Sequence, residues 1–260
     1  TNLKFYIENG TAYNDITPLR DTVVLTNPFT TVSGSSIVTV TDANGGYVNN
    51  DYVTFSNAAA VGGVTVNGEY QLTTTTSANQ YTIDVGTAAT SAATGGGTVT
   101  AVYQINTDVP FSVPITGWGA SGWGDGPWGE GAPSAARIRL WSQSNFGEDL
   151  IFGPRGGGIY YWDAGSGLTS RGVELSTLSG ASDVPISQRV IEVSDVNRFV
   201  FALGANDFGT TIVNPMLVRW SDQGSAIDWT PSVTSQAGFL TLSRGSEIIA
   251  ARQSRQEVLV

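Results

Sequence analysis

Alternation with a period of two runs through the first half of the chain. Tyr81, Ile83 and Val85 alternate with Thr82 and Asp84, Tyr70 and Leu72 flank Gln71, and residues 37–41 and 52–55 are rich in β-branched and aromatic side chains. This pattern predicts strands with one face on a core. Turn chemistry separates them: Asp42-Ala-Asn-Gly-Gly46, Gly62-Gly63, Asn67-Gly68, Ser77-Ala-Asn79 and Gly95-Gly-Gly97 supply the positive-φ positions that tight connections need. Five or six short strands in about 75 residues predict a small β-barrel or sandwich.

The second half shows a looser, longer pattern. Asp149-Leu-Ile-Phe152 leads through a Gly-Pro-Arg-Gly-Gly-Gly connection into Ile159-Tyr-Tyr-Trp-Asp163, and Arg198-Phe-Val-Phe-Ala-Leu203 leads through a longer loop into Met216-Leu-Val-Arg-Trp-Ser-Asp222. Both end in an aromatic-then-Asp pattern. Strand starts at 149, 198 and 257 are spaced by 49 and 59 residues, slightly above the roughly 40 to 50 of propeller blades. No long amphipathic helix is evident. Pro133 offers a short helix start, but Arg137-Ile-Arg-Leu-Trp141 alternates with period two, which favours a strand.

Composition then divides the chain. Residues 30–104 hold four acids, no basic residue and sixteen threonines, while every Lys and Arg lies outside. Asn27-Pro28 on one side, and Asp108-Val-Pro110 with Pro114 on the other, read as joints. The expected organisation is all-β: a partial β-propeller-like host domain of residues 1–29 and 105–260, with a small β-barrel or sandwich of residues 30–104 inserted into it. On this reading the apolar strands before the insertion, at 3–7 and 23–25, pair with segments after it.

The 260 residues are 40% hydrophobic, enough for a real core, and only 13% charged, so the surface is built mainly of Thr, Ser, Asn and Gln. The absence of Cys and His removes disulfides, the usual zinc sites, Cys-His pairs and Ser-His-Asp triads. The net charge of −10 with a single lysine, Lys4, argues against a conventional nucleic-acid binder. It is compatible with a surface that DNA passes without sticking. The longest apolar run, Phe199-Val-Phe-Ala-Leu203, is far too short for a membrane helix, and a soluble chain is expected. Thr1 follows no leader pattern and reads as a processed or trimmed start. Gln256-Glu-Val-Leu-Val260 reads as a strand in mid-course, so a longer parent chain is expected.

The most distinctive local feature is a strip in which Trp118, Trp123 and Trp128 recur every five residues, each followed by Gly. Each indole offers a large apolar face and one N–H donor. The favoured reading is a connector whose indoles plug into grooves of its own or a neighbouring chain; the alternative is a sugar-stacking surface. Pro154-Arg-Gly-Gly-Gly158 lacks the ending of a phosphate loop and is followed by a strand, so it reads as a hairpin loop, with Arg155 a candidate interface or DNA-facing guanidinium. The segment from Asp42 fails the calcium-loop template, because Val53 stands where a bidentate Glu is required. Glu148 and Asp149 are strand neighbours and point to opposite faces, so they do not flank one scissile bond. Asp163 and Asp222 read as repeated turn residues. No catalytic, cofactor-binding or metal-ligating residue is assigned, and no cofactor is expected.

Residues 141–150, 154–162, 222–229 with Pro231, and 255–260 resemble a family of tailed-bacteriophage structural proteins: the β-propeller tail-tube or nozzle class of short-tailed phages, like tail tubular protein B. In that resemblance Asp15-Ile-Thr-Pro-Leu-Arg20 precedes a small β unit similar to the first catalytic-cysteine half-domain of ubiquitin-activating enzymes. That second likeness concerns fold alone, and this chain without Cys carries no ligation chemistry. The chain holds too few blades to close a propeller by itself. The resemblance implies a non-enzymatic virion protein made in the host cytoplasm, forming a homo-oligomeric ring, a hexamer, around the DNA exit channel. Its implied partners are copies of itself, neighbouring tail and adaptor proteins, and genomic DNA in transit without specific binding. Two alternatives remain open: a glycan- or receptor-binding tail appendage using the three tryptophans, and a propeller glycoside hydrolase, which requires two carboxyl groups in one cleft.

Overall fold

The computed structural model describes residues 4–44, 47, 51–105, 140–254 and 258–259. Among these the fold is all-β, the only helical pieces being two 3₁₀ turns, Ala164–Ser166 and Leu175–Thr177. The chain divides into two compact units, Leu19–Asn106 and the combination of Thr1–Pro18 with Thr107–Val260. The tryptophan strip and the strand expected at 137–141 lie outside the described residues, save Leu140 and Trp141.

The first strands do not pair as the sequence suggests. β1 (Tyr6–Glu8) closes locally on β2 (Tyr13–Asp15) as an antiparallel hairpin. β3 (Leu19–Thr26) pairs along its length with a strand of the Thr-rich segment, from Thr26 opposite Thr98 to Leu19 opposite Gln104. β3 therefore belongs to the inserted unit, whose edges fall at residues 19 and 106 instead of 30 and 104. The ladder along the whole of β3 outweighs the compositional boundary that the charge pattern drew at residue 30.

That unit continues with β4 (Phe29–Thr31), β5 (Ile37–Thr41), β6 (Tyr52–Ser56), β7 (Gly68–Ser77), β8 (Gln80–Asp84), β9 (Ala93–Gly95) and β10 (Thr98–Gln104). Their hydrogen-bonded order is β3-β10-β6-β7-β8-β5-β4-β9. The two ends of this order are joined by the chain itself. β3 runs into β4 and β9 into β10, and the paired ladder carries on through the bend, where the Asn27 N–H donates to the Gly97 carbonyl at 2.7 Å. The Gly97 N–H returns a bond to Asn27 Oδ1 at 2.9 Å. The eight segments thus act as six staves of a barrel.

Glycine is required at this corner. Gly96 has φ +113°, and a Cβ there would sit 2.5 Å from Cδ2 of the buried Phe29 ring. Inside, Phe29 packs edge-on to Phe55 at 5.1 Å between centroids, with Val38, Leu72, Ile83 and Val99 filling the space around them. Outside, threonines pair across strands, as in Thr73 with Thr82 at 2.8 Å and Thr30 with Thr94 at 3.1 Å. The sixteen threonines of residues 30–104 are explained by a barrel that uses β-branched hydroxyls where other proteins use charges.

The other unit is built from consecutive antiparallel meanders. β11 (Trp141–Phe146), β12 (Asp149–Pro154), β13 (Tyr160–Trp162) and β14 (Val173–Glu174) form one four-stranded sheet in sequence order. β15 (Val190–Val193), β16 (Val200–Leu203), β17 (Leu217–Trp220) and β18 (Gly238–Thr241) form the next in the same way. β19 (Arg252–Gln253) and β20 (Val258–Leu259) pair as a further hairpin. This is propeller-like succession.

Residues of both four-stranded sheets, among them Phe146, Ile151, Ile191 and Val200, share one core with Ile159 and Trp229 from the connecting loops. The β1–β2 hairpin is fastened to the first sheet. Phe5 stacks on Phe152 and Trp141 at 4.9 and 5.2 Å, and the Gly172 N–H donates to the Ile16 carbonyl at 3.0 Å. Asp15 takes salt bridges from Lys4, at 3.1 Å, and Arg171. Burial opposes ionisation of Asp15, but the hydrogen bonds from Arg171 and Thr17 outweigh it and hold the carboxyl below its usual range.

Candidate functional site

Of the four interface candidates read from the sequence, only Arg155 lies among the described residues. Trp118, Trp123 and Trp128 lie outside the described residues. Arg155 is half-buried in the connection between β12 and β13, which is the expected hairpin loop. Its guanidinium Nη2 donates to the Ile249 carbonyl at 2.8 Å, and its backbone N–H donates to the Leu140 carbonyl at 2.7 Å. This side chain ties two loops of its own unit together.

The carboxylates with the most obvious sequence context serve as fasteners. Asp149 accepts from the Tyr161 hydroxyl and from the Ala164 N–H, while Asp163 accepts from the Gly165 N–H at 2.8 Å and the Ser166 hydroxyl at 2.6 Å. Asp222 accepts from the Gln236 N–H at 2.6 Å. Asp163 and Asp222 follow the third strands of the two successive sheets, β13 and β17, so the repeated aromatic-then-Asp pattern is a turn device. Asp42 is a turn residue as expected, accepting from the Asn44 N–H at 2.9 Å. Its second oxygen is buried and takes the Tyr103 hydroxyl at 2.7 Å, and Tyr103 in turn meets Tyr81 at 2.6 Å. Burial pushes both tyrosines far above the ordinary phenol range, with the Asp42 charge adding to the shift.

A second buried network holds the β17 side of the other unit. Arg219 is 1% exposed, pairs with the Asp183 carboxylate and carbonyl, and also reaches the Asn206 carbonyl at 3.3 Å. These groups satisfy one another and leave nothing directed at a ligand.

Among the described residues an open polar groove of about 560 Å³ is lined by Ser144, Asn145, Glu192, Asp195, Val196 and the stretch Arg252, Gln253 and Ser254. Its walls come from β11, from β15 and the turn after it, and from β19. These are the opening strands of three successive pairings of the propeller-like unit. Side-chain-to-backbone bonds hold them side by side: Ser142 and Ser144 hydroxyls accept from the Ile191 and Val193 N–H groups at 2.9 and 3.2 Å, and Gln253 Oε1 accepts from the Asp195 N–H at 3.3 Å.

Glu192 forms the inner wall. On β15, Ile191 and Val193 turn into the shared core, and strand alternation sends Glu192 to the opposite face. There it is only 9% exposed. Burial raises its carboxyl above the usual range and nearby Asp195 adds to this, against the opposing influence of Arg252 and the Gln253 N–H. Sequence reasoning passed over these residues because they lie in three separate stretches without a motif. The available signal was a lone acid inside the apolar run Val190-Ile-Glu-Val193.

Among the described residues no group of three or more metal-ligating side chains gathers, and no helix is long and apolar enough to cross a membrane. No family model and no curated protein matches the chain. Among solved structures the chain is similar to the phage phi92 endosialidase, with 18% identity, a TM-score of 0.31, and coverage of 91% of this chain and 33% of that one. The chain therefore spans about a third of that protein's length, and a likeness at this level carries no argument about activity.

Proposed function

We propose that the protein is a non-enzymatic structural subunit of a bacteriophage tail, a ring-forming nozzle or tail-tube component around the DNA exit channel. The observation that supports it best is where the stretches resembling that family fall. Residues 141–150 make the β11–β12 hairpin, residues 154–162 make the turn into β13 and β13 itself, and residues 222–229 end in Trp229, which is buried between the sheets. These are the joints of an all-β scaffold. The tightly bonded carboxylates described above serve the same scaffold.

Two physical features fit this role. Closed symmetry lets modest contacts add up around a ring, because each copy presents the same two surfaces. A chain of net charge −10 repels the phosphate backbone, so a passing genome is not held by counterion-releasing contacts. Cryo-electron microscopy of native particles tests the reading. The subunit is expected in a ring on the tail axis with a bore that is not densely basic. A peripheral position, or a bore lined with arginine, overturns it.

A further inference from the structure

Glu192 is costly where it stands. Glu192 is 9% exposed as a residue, so its carboxyl gives up part of its hydration, and Arg252, itself exposed, offsets that loss only in part. A strand whose neighbouring residues pack a core would be steadier with a neutral side chain at that position. A titratable group kept in a cleft against stability is a candidate ligand-site residue.

The lining of the groove defines the chemistry it accepts. Besides Glu192 and Asp195 its described lining holds the amides of Asn145 and Gln253, the hydroxyls of Ser144 and Ser254, and the guanidinium of Arg252, with Ser144 Oγ and Gln253 Oε1 each already accepting one backbone N–H. Nearly every group there donates or accepts hydrogen bonds, and most do both. Vicinal hydroxyls, which also donate and accept, match such an array. Among the described lining residues Val196 is the only apolar side chain and none is aromatic, so these residues give flat apolar ligands no face to stack on. Two carboxyl groups against one guanidinium disfavour phosphates and other anions. The volume of about 560 Å³ lies within the roughly 300–1,000 Å³ of small-molecule sites.

We propose that the groove where β11, β15 and β19 meet binds neutral saccharides, with Glu192 and Asn145 as the hydrogen-bonding residues of the inner wall and the rim. This goes beyond the structural role and does not rest on it, since a tail subunit with an empty groove assembles equally well. Without a stacking ring the affinity is modest, roughly millimolar.

Saturation-transfer NMR on the full chain, with maltose, cellobiose, lactose and chitobiose as neutral probes and a hyaluronan disaccharide as the anionic one, tests the assignment. At least one neutral sugar is expected to bind and the anionic one is not. Asn145→Ala, an exposed change that leaves the fold intact, is expected to weaken binding about ten-fold, which is about 1.4 kcal/mol. Glu192→Ala is expected to abolish binding and Glu192→Gln, which keeps hydrogen-bonding capacity, to retain it. Absence of binding by every neutral probe overturns the proposal, as does binding that is indifferent to Asn145→Ala and Glu192→Ala. Ring assembly scored by mass photometry on the same variants separates this outcome from failure of the tail reading.

Discussion

The hydroxyl of Ser144 accepts a hydrogen bond from the backbone N–H of Val193, 49 residues further along the chain, and Ser142 accepts from Ile191 at the same offset. The matching offset shows that β15 repeats β11 one sheet later and lies beside it in register. A serine therefore does here what a backbone carbonyl does within a sheet, and it joins one meander to the next. Removing either hydroxyl leaves a backbone donor without its partner. Ser142→Ala and Ser144→Ala are each expected to cost about 1–3 kcal/mol, read from the denaturant midpoint of the propeller-like unit.

Gly96 sets the bend of the barrel. Its φ of +113° is unfavourable for any L side chain, and a methyl group would press on the Phe29 ring. Gly96→Ala is expected to destabilise the Leu19–Asn106 unit by about 2–3 kcal/mol, measured by urea unfolding followed through barrel tyrosine fluorescence.

The Tyr81, Tyr103 and Asp42 chain ties barrel stability to alkaline pH. Both phenols are held far above their unfolded value of about 10. Stability from keeping them neutral is present below that value and drains away as pH rises above it, because only the unfolded chain then releases the protons. Phenolate absorbance of the folded protein is expected to show these two tyrosines silent until the barrel unfolds. Tyr103→Phe is expected to cost about 1–3 kcal/mol at neutral pH by stranding the Asp42 oxygen.

Glu192 gives the opposite sign to an ordinary surface acid. Its folded carboxyl is raised, so the favourable protonated state is available below the unfolded value of about 4.3 and is lost as pH rises through the folded value. Glu192→Gln is expected to raise the melting temperature at neutral pH, with the gain shrinking toward mildly acidic pH. An equal gain at both pH values would show that the charge is not the cause.

Arg219 and Asp183 form a pair with one member fully buried. Asp183→Ala strands the guanidinium and is expected to cost about 3–5 kcal/mol, visible as a large fall in the thermal midpoint.

Strands with apolar alternation were legible from the sequence. The 81–85 pattern became β8, the 149–152 and 200–203 runs became β12 and β16, and the Gly-rich 154–158 segment became a hairpin turn. β11 was hidden because Ser142 and Ser144 place hydroxyls where the pattern expects apolar groups, and those hydroxyls bind the next sheet's backbone. β3 was assigned to the wrong unit because Leu19 and Arg20 look like host sequence, and ladder pairing with β10 is not visible in composition. The groove was invisible for a third reason. Its walls are brought together by the succession of sheets, and no local spacing carries that information.

Because Leu19 stands opposite Gln104 on adjacent antiparallel strands, the barrel's entry and exit points lie one strand spacing apart, about 5 Å. Such a module is a cassette. A gene can lose it, exchange it or acquire it anew with a two-residue splice, while the surrounding sheets keep their own pairing. Variation among relatives is then expected to concentrate in whether, and which, domain is plugged in between residues 18 and 107.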